Sequence, residues 1–174
     1  ILLAVHYPPY SGAGNFVQRG DPTFGPTSGA LNACPLGYRL QQAFVESGQR
    51  PDAVFSAHAH LYQRLTFCDA DGWEIPYLIA GSGGHSPVES MWTACDGSKG
   101  QPQSVPFDAI LPKGNNLAPG QSVRIAAYND QSFGFLRVTI AARKLTGEFF
   151  TVDAQTLTLS DAFVLNMDTH RVYA

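Results

Sequence analysis

The sequence predicts a layered α/β domain with a β-rich C-terminal tail. Three observations carry that expectation. Short apolar runs in the first half end in histidine or glycine, one stretch of helical period lies between the first two runs, and the last third alternates as antiparallel strands do.

Residues 1–6 read as a buried strand, followed by a loop to residue 33 that holds Gly12, Gly14, Gly20, Pro22, Gly25, Pro26 and Gly29. A loop of that length in a compact domain is usually functional or mobile. The helix is expected over residues 36–45, where Leu36, Leu40, Ala43 and Phe44 share a face and Gly48 supplies the stop. Arg50-Pro51 breaks the chain before a strand over 52–57. Residues 61–67 form the next strand, Asp69-Ala70-Asp71-Gly72 a turn, and residues 74–80 an apolar strand that runs into Gly81-Ser82-Gly83-Gly84-His85. Asp69 and Asp71 imitate the start of a calcium loop, but the closing Glu is missing and a plain turn is the reading. Residues 86–120, rich in Pro, Gly, Ser and Asn, read as a surface excursion. Strands over 122–128, 133–140 and 145–152 follow, with a fourth at 163–166.

The 174 residues suit one domain with a real core and are too few for two. Charged residues make up only 14%, and 17 Gly with 12 Pro call for long, turn-rich loops. A net charge of -3 offers neither nucleic acid nor an anionic membrane the basic surface that each requires. No apolar stretch approaches the roughly 20 residues of a membrane span. Ile1 already stands inside a strand-like run, without initiator methionine or signal-peptide features, so the chain is expected to be a piece of a larger protein. Cys34, Cys68 and Cys95 lack C-x-x-C spacing, which argues against a structural zinc site. A Cys68–Cys95 bridge and three reduced thiols fit equally well, and a periplasmic or secreted setting is favoured over a cytoplasmic one.

Chemistry concentrates in Ala57-His58-Ala59-His60, which follows the apolar run of residues 52–56. Imidazole offers a nitrogen lone pair near neutral pH and is the commonest side-chain metal ligand there. His6 ends another apolar run and enters Tyr7-Pro8-Pro9-Tyr10-Ser11. Both histidine sets thus lie just past the C-terminal end of a short strand, where open α/β sheets place their ligand sites.

These residues resemble the second half of the calcineurin-like metallophosphoesterases, in particular the purple-acid-phosphatase type. The family's His-x-Pro-x-Tyr is similar to His6-Tyr7-Pro8-Pro9-Tyr10, its Gly-His-x-His-aromatic-Arg to the stretch from Ala57 to Arg64, and its strand-end glycine cluster to Gly81-Ser82-Gly83-Gly84. Phe133-Gly134-Phe135-Leu136-Arg137-Val138 resembles the late hairpin of its second sheet. The resemblance covers roughly residues 1–150 and implies half of a four-layer α/β/β/α sandwich with mixed sheets, with residues 1–174 as the C-terminal portion of a single domain. It also implies that His6 and His58 ligate one metal and His60 the other, in a pair of divalent or mixed-valence ions (Fe, Zn or Mn) that hydrolyses a phosphate ester with activated water. Its partners would be that ester and the N-terminal half of the domain.

The chain departs from the family in three respects. Ala57 replaces a glycine, Tyr7 stands where a second histidine is common, and the first-half motifs Asp-x-His, Gly-Asp-x-x-Asp and Gly-Asn-His do not occur in these residues. The general acid and the bridging carboxylate would then lie upstream of Ile1. The alternatives are a non-catalytic fragment that binds a partner or ligand without a complete metal site, a different metallohydrolase, and a β-rich binding module with incidental histidines.

Simpler roles stand beside the functional ones for the remaining residues. Tyr10 and Tyr62 could line a substrate pocket or pack with wet hydroxyls. His85 could touch substrate or lie on the surface, and Arg64 could meet a phosphate or, preferably, a neighbouring carboxylate. The glycine cluster admits a ligand or makes a tight turn. His170 is expected to be solvent-exposed.

Overall fold

Aliphatic, β-branched and aromatic residues such as Val54, Leu65, Phe67, Ile75, Tyr77 and Ile79 suit a pleated, two-sided surface, and they build the central strands. The computed structural model describes residues 1–13, 35–91, 109–110 and 117–174. Among these the order is β1 (Leu2–Ala4), α1 (Pro35–Ser47), β2 (Ala53–Ser56), β3 (Tyr62–Cys68), β4 (Glu74–Ala80), β5 (Ala109–Ile110), β6 (Ser122–Asn129), β7 (Gly134–Ala141), β8 (Lys144–Asp153), β9 (Thr156–Asn166) and β10 (Arg171–Tyr173). A six-stranded mixed sheet has the order β1-β2-β4-β3-β6-β5, and a four-stranded sheet the order β10-β9-β8-β7. The mixed sheets and the helix stand as expected. The described residues are mostly strand.

β1, β2 and β4 are parallel neighbours, with Ala4 beside Phe55 and Phe55 beside Leu78. Their C-terminal ends therefore open on the same side, which brings together the loops entered at His6, Ala57 and Gly81. β3 returns antiparallel to β4, with Tyr62 opposite Ala80, so the segment between β2 and β3 closes over that edge.

Burial follows strand alternation. Ile75, Tyr77 and Ile79 of β4 join Tyr10, Leu65, Phe67, Val123 and Ile125 in one core layer, while Leu78 faces Leu145, Phe163 and Leu165 of the second sheet. α1 lies over the first layer, where Gln41 Nε2 donates to the Tyr77 hydroxyl at 3.4 Å. Gly37 is buried at this contact, where a Cβ would stand 3.1 Å from the Pro9 carbonyl and 3.2 Å from the Tyr10 ring.

Polar side chains cross the gap between the sheets. Arg64, only 3% exposed, donates from Nε and Nη2 to the two Asp161 oxygens at 2.8 and 2.9 Å. The Tyr62 hydroxyl donates to Asp161 Oδ2 at 2.7 Å, and its ring stacks on Phe149 at 3.9 Å. Burial, then the Asp161 charge, holds the Tyr62 phenol well above its ordinary range. Arg64 thus meets a neighbouring carboxylate, as preferred from sequence.

Several expectations need correction. β1 forms an edge, and Leu2 and Ala4 are exposed rather than buried. The helix spans Pro35–Ser47, and its buried stripe passes through Gly37 while Ala43 faces out. β5 forms within the supposed surface excursion by pairing with β6. β9 begins at Thr156, seven residues before the expected start, and β10 was not expected. The first half of β9 is exposed along its length, so it lacks a buried face to reveal it. The parts of the two long loops at 14–34, 92–108 and 111–116 lie outside the described residues.

His170, expected in solvent, is buried with its ring stacked on Trp73 at 3.3 Å. The turn between β9 and β10 docks against the β3–β4 turn, where Glu74 N–H donates to the His170 carbonyl at 3.0 Å. Burial lowers the His170 pKa from 6.5, and Asp52 Oδ1 at 3.7 Å opposes that shift by less.

Two outcomes are expected from this packing. Removing Asp161 strands a buried guanidinium, so Asp161→Ala should cost about 3–5 kcal/mol in urea unfolding. A cost within about 0.5 kcal/mol would show that the ion pair does not hold the sheets together. The unfolded state protonates His170 before the folded state does, so its stabilisation is present above about pH 6.5 and falls as pH drops below that value. His170→Asn, which tolerates the left-handed backbone (φ 48°), should therefore lose less stability than the unaltered protein between pH 7.5 and 5.5. An equal or larger loss in the variant contradicts the assignment.

Candidate metal centre

The loops that leave the parallel strands are held to one another by backbone and core-facing side chains. Ala57 N–H donates to the His6 carbonyl at 3.2 Å, tying the loop after β2 to the end of β1. Gln63, fully buried on β3, accepts from Gly12 N–H at 2.9 Å and donates to Ser11 Oγ at 2.9 Å. Ala13 bridges to Met91, and Met91 N–H donates to Asp130 Oδ2 at 3.1 Å, so the third loop is anchored as well.

The segment from Ala57 to Leu61 folds into two successive tight turns. Ala59 N–H donates to the Ala57 carbonyl at 2.6 Å, and Leu61 N–H to the Ala59 carbonyl at 2.8 Å. His58 takes up a left-handed φ of 57°. For a residue with a Cβ this costs on the order of 1–2 kcal/mol. The other non-glycine residues with positive φ (Ala142, Arg143, Ala154 and His170) lie at or beside the turns between β7, β8, β9 and β10, whereas His58 follows a strand at the candidate site. Strain of this kind collects at functional sites.

This conformation brings His58 Nδ1 within 3.0 Å of His6 Nε2, with the ring planes 76° apart. Tyr7 packs on the other ring contact of His58, at 4.1 Å between centroids. Two nitrogens each about 2.0–2.1 Å from one ion are about 2.9 Å apart at a right angle and about 3.3 Å apart at a tetrahedral one. The observed separation matches adjacent coordination positions on a single metal. It equally suits one imidazole N–H donating to the other. The His60 ring lies against that of His85 at 3.9 Å. Among the described residues, no group of three or more His, Cys, Asp or Glu side chains is placed to hold an ion.

Tyr10 and Tyr62 do not line an open pocket. Tyr10 is 3% exposed and packs on Tyr77 at 5.0 Å, and Tyr62 lies between the sheets on Asp161 and Phe149. Both rings face core, packed against aromatic neighbours. His85 is exposed at the candidate site, beside His60. Cys68 ends β3 and is a free thiol, its pKa raised chiefly by burial. Cys34 and Cys95 lie outside the described residues.

The glycine cluster serves the turn. A Cβ on Gly81 would lie 1.9 Å from the Ala59 carbonyl oxygen, and Gly81 N–H donates to the Leu61 carbonyl at 3.0 Å. Only glycine lets the end of β4 pass this close behind the histidine segment. Sequence reasoning missed Gln63 and Glu89. Gln63 occupies a position of the same parity as the core residues Leu61 and Leu65, a polar residue in an apolar row, and that break could have marked it. Glu89 carries no sequence signal of its own.

Gly81→Ala should cost about 1–3 kcal/mol and separate the His6 and His58 rings, read from their imidazole resonances by NMR. Gly83→Ala, with open space around the new methyl, should change stability by less than about 0.5 kcal/mol. Equal effects of the two would rule out the backing role given to Gly81. In comparison with known proteins, the chain matches no family model and no curated protein.

Proposed function

We propose that this chain supplies the histidine side of a dinuclear metallophosphoesterase centre, within half of a four-layer α/β/β/α sandwich. The observation that carries the reading is the 3.0 Å approach of His6 Nε2 and His58 Nδ1 across 52 positions of sequence, reached through a strained His58 backbone. His6 and His58 would hold one ion and His60 the second. Coordination through these atoms leaves the protons on His6 Nδ1 and His58 Nε2.

When bound, the ions supply Lewis acidity toward a phosphoryl oxygen and acidify water. The chain's own contribution is neutral donors, which leave the positive charge of the centre intact, and a fixed donor geometry. Tyr7 limits rotation of the His58 ring, and the Ala57–His6 backbone bond sets the separation of the two loops. The remaining carboxylate ligands and the general acid would come from the N-terminal half of the domain. A second reading, a fold that binds a ligand or partner without catalysis, is supported by the lack of a third donor at the His6–His58 pair among the described residues.

Metal analysis and phosphoester hydrolysis by the full-length protein separate the two. His58→Ala and His60→Ala are each expected to lower metal content and to reduce hydrolysis by more than the roughly 10–100-fold typical of losing a group that only supports a ligand. Near-normal metal content and activity in both variants would leave the non-catalytic reading. The isolated 174-residue chain should bind metal weakly and turn over little p-nitrophenyl phosphate, and strong turnover by it alone would overturn the divided site.

A further inference from the structure

Backbone accounting around the histidine segment assigns a role to a residue outside it. The N–H groups of Ala59 and Leu61 and the carbonyls of Ala57 and Ala59 are used within the two tight turns, and the Leu61 carbonyl accepts from Gly81. The His60 N–H and carbonyl take no part in these turns. Both are met by one residue: His60 N–H donates to Glu89 Oε2 at 3.2 Å, and Glu89 N–H donates to the His60 carbonyl at 2.9 Å. Backbone polar groups that are partly buried need such partners. Four residues before Glu89, His85 lays its ring on the His60 imidazole at 3.9 Å, with the planes 33° apart. This close, tilted contact lets the His85 ring support that of His60.

We infer that the segment from His85 to Glu89 is a clamp that positions His60 as a ligand, with Glu89 fixing its backbone from both sides and His85 covering one face of its ring. The inference rests on the proposed two-metal reading. Its physical content is specific: Glu89 acts as a hydrogen-bond acceptor at its carboxyl oxygen, not as a charge and not as a ligand. The clamp is anchored in turn, because Met91 two residues later is held by Asp130 and by the bridge to Ala13. The loop from β1, the loop from β2 and the loop from β4 thereby form one connected unit around the histidines.

The test uses full-length protein titrated with Co²⁺ or Zn²⁺ by calorimetry, with the Co²⁺ absorption spectrum and the melting temperature of the metal-free protein as further readouts. Glu89→Gln keeps an acceptor oxygen and is expected to bind two ions as the unaltered protein does. Glu89→Ala removes it and should weaken one of the two ions about 10-fold and leave the other unchanged, with a lower metal-free melting temperature from the unpaired His60 N–H. Loss of an ion in Glu89→Gln means that the carboxylate charge matters and overturns the positioning role, and this variant decides the question even if Glu89→Ala fails to fold. His85→Phe, which keeps a flat ring over His60, should retain both ions, and losing one would make His85 itself a ligand and overturn its part of the clamp. If Glu89→Ala binds both ions normally while His58→Ala loses metal, the clamp fails and the two-metal reading stands. If His58→Ala also binds normally, the reading itself fails and the clamp with it.

Discussion

Asp161 is the point on which both sheets meet. Its two carboxylate oxygens accept from Arg64 Nε, Arg64 Nη2 and the Tyr62 hydroxyl, which joins β9 to β3 across nearly a hundred residues of chain. An arginine this buried is tolerable only with a bidentate partner, because desolvating an unpaired guanidinium costs several kcal/mol. The planar stack of Tyr62 on Phe149 and the Arg64 guanidinium over Phe163 at 5.1 Å fill the space around the pair with aromatic carbon. The second sheet is thereby set in one register against the first.

β3 transmits that constraint to the candidate site. Strand alternation sends Tyr62 and Arg64 toward Asp161 and sends Gln63 to the opposite face, where it holds Ser11 and Gly12. The residues that begin β3 are therefore fixed on both faces just after His60. From the other side, Gly81 allows β4 to press against Ala59, and the parallel register of β1, β2 and β4 aligns the strand ends. The left-handed turn at His58 is affordable in such a setting, since neighbours on every side specify the backbone. In the proposed centre, donors fixed in this way would lower the reorganisation needed to bind an ion.

The strand ends were legible from residue types and order. Apolar runs leading into His6 and His58 identified β1 and β2, whereas the pairing of those two histidines followed only from the family resemblance. The roles of the tyrosines were not legible, because a phenol beside a strand end carries the same signal whether it faces solvent or Asp161. His170 was misplaced for a related reason: its burial depends on Trp73, which lies about a hundred positions earlier and meets it only through the docking of two turns. The turn of Ala142 and Arg143, both with positive φ, also lacks the Asn-Gly chemistry that usually announces it.

By itself the sequence determined that one helix accompanies strand-rich sheets, the placement of the main strands, and that imidazoles follow the first two of them at His6, His58 and His60. Those properties follow from local periodicity and residue order. Only the tertiary structure decided which side chains meet: His58 with His6, His60 with His85 and Glu89, Arg64 with Asp161, and Gly81 with Ala59. Each of those pairs, apart from the nearer-spaced ones in the histidine loop, joins distant parts of the chain, and its geometry is set by sheet register and backbone angles that no local pattern encodes.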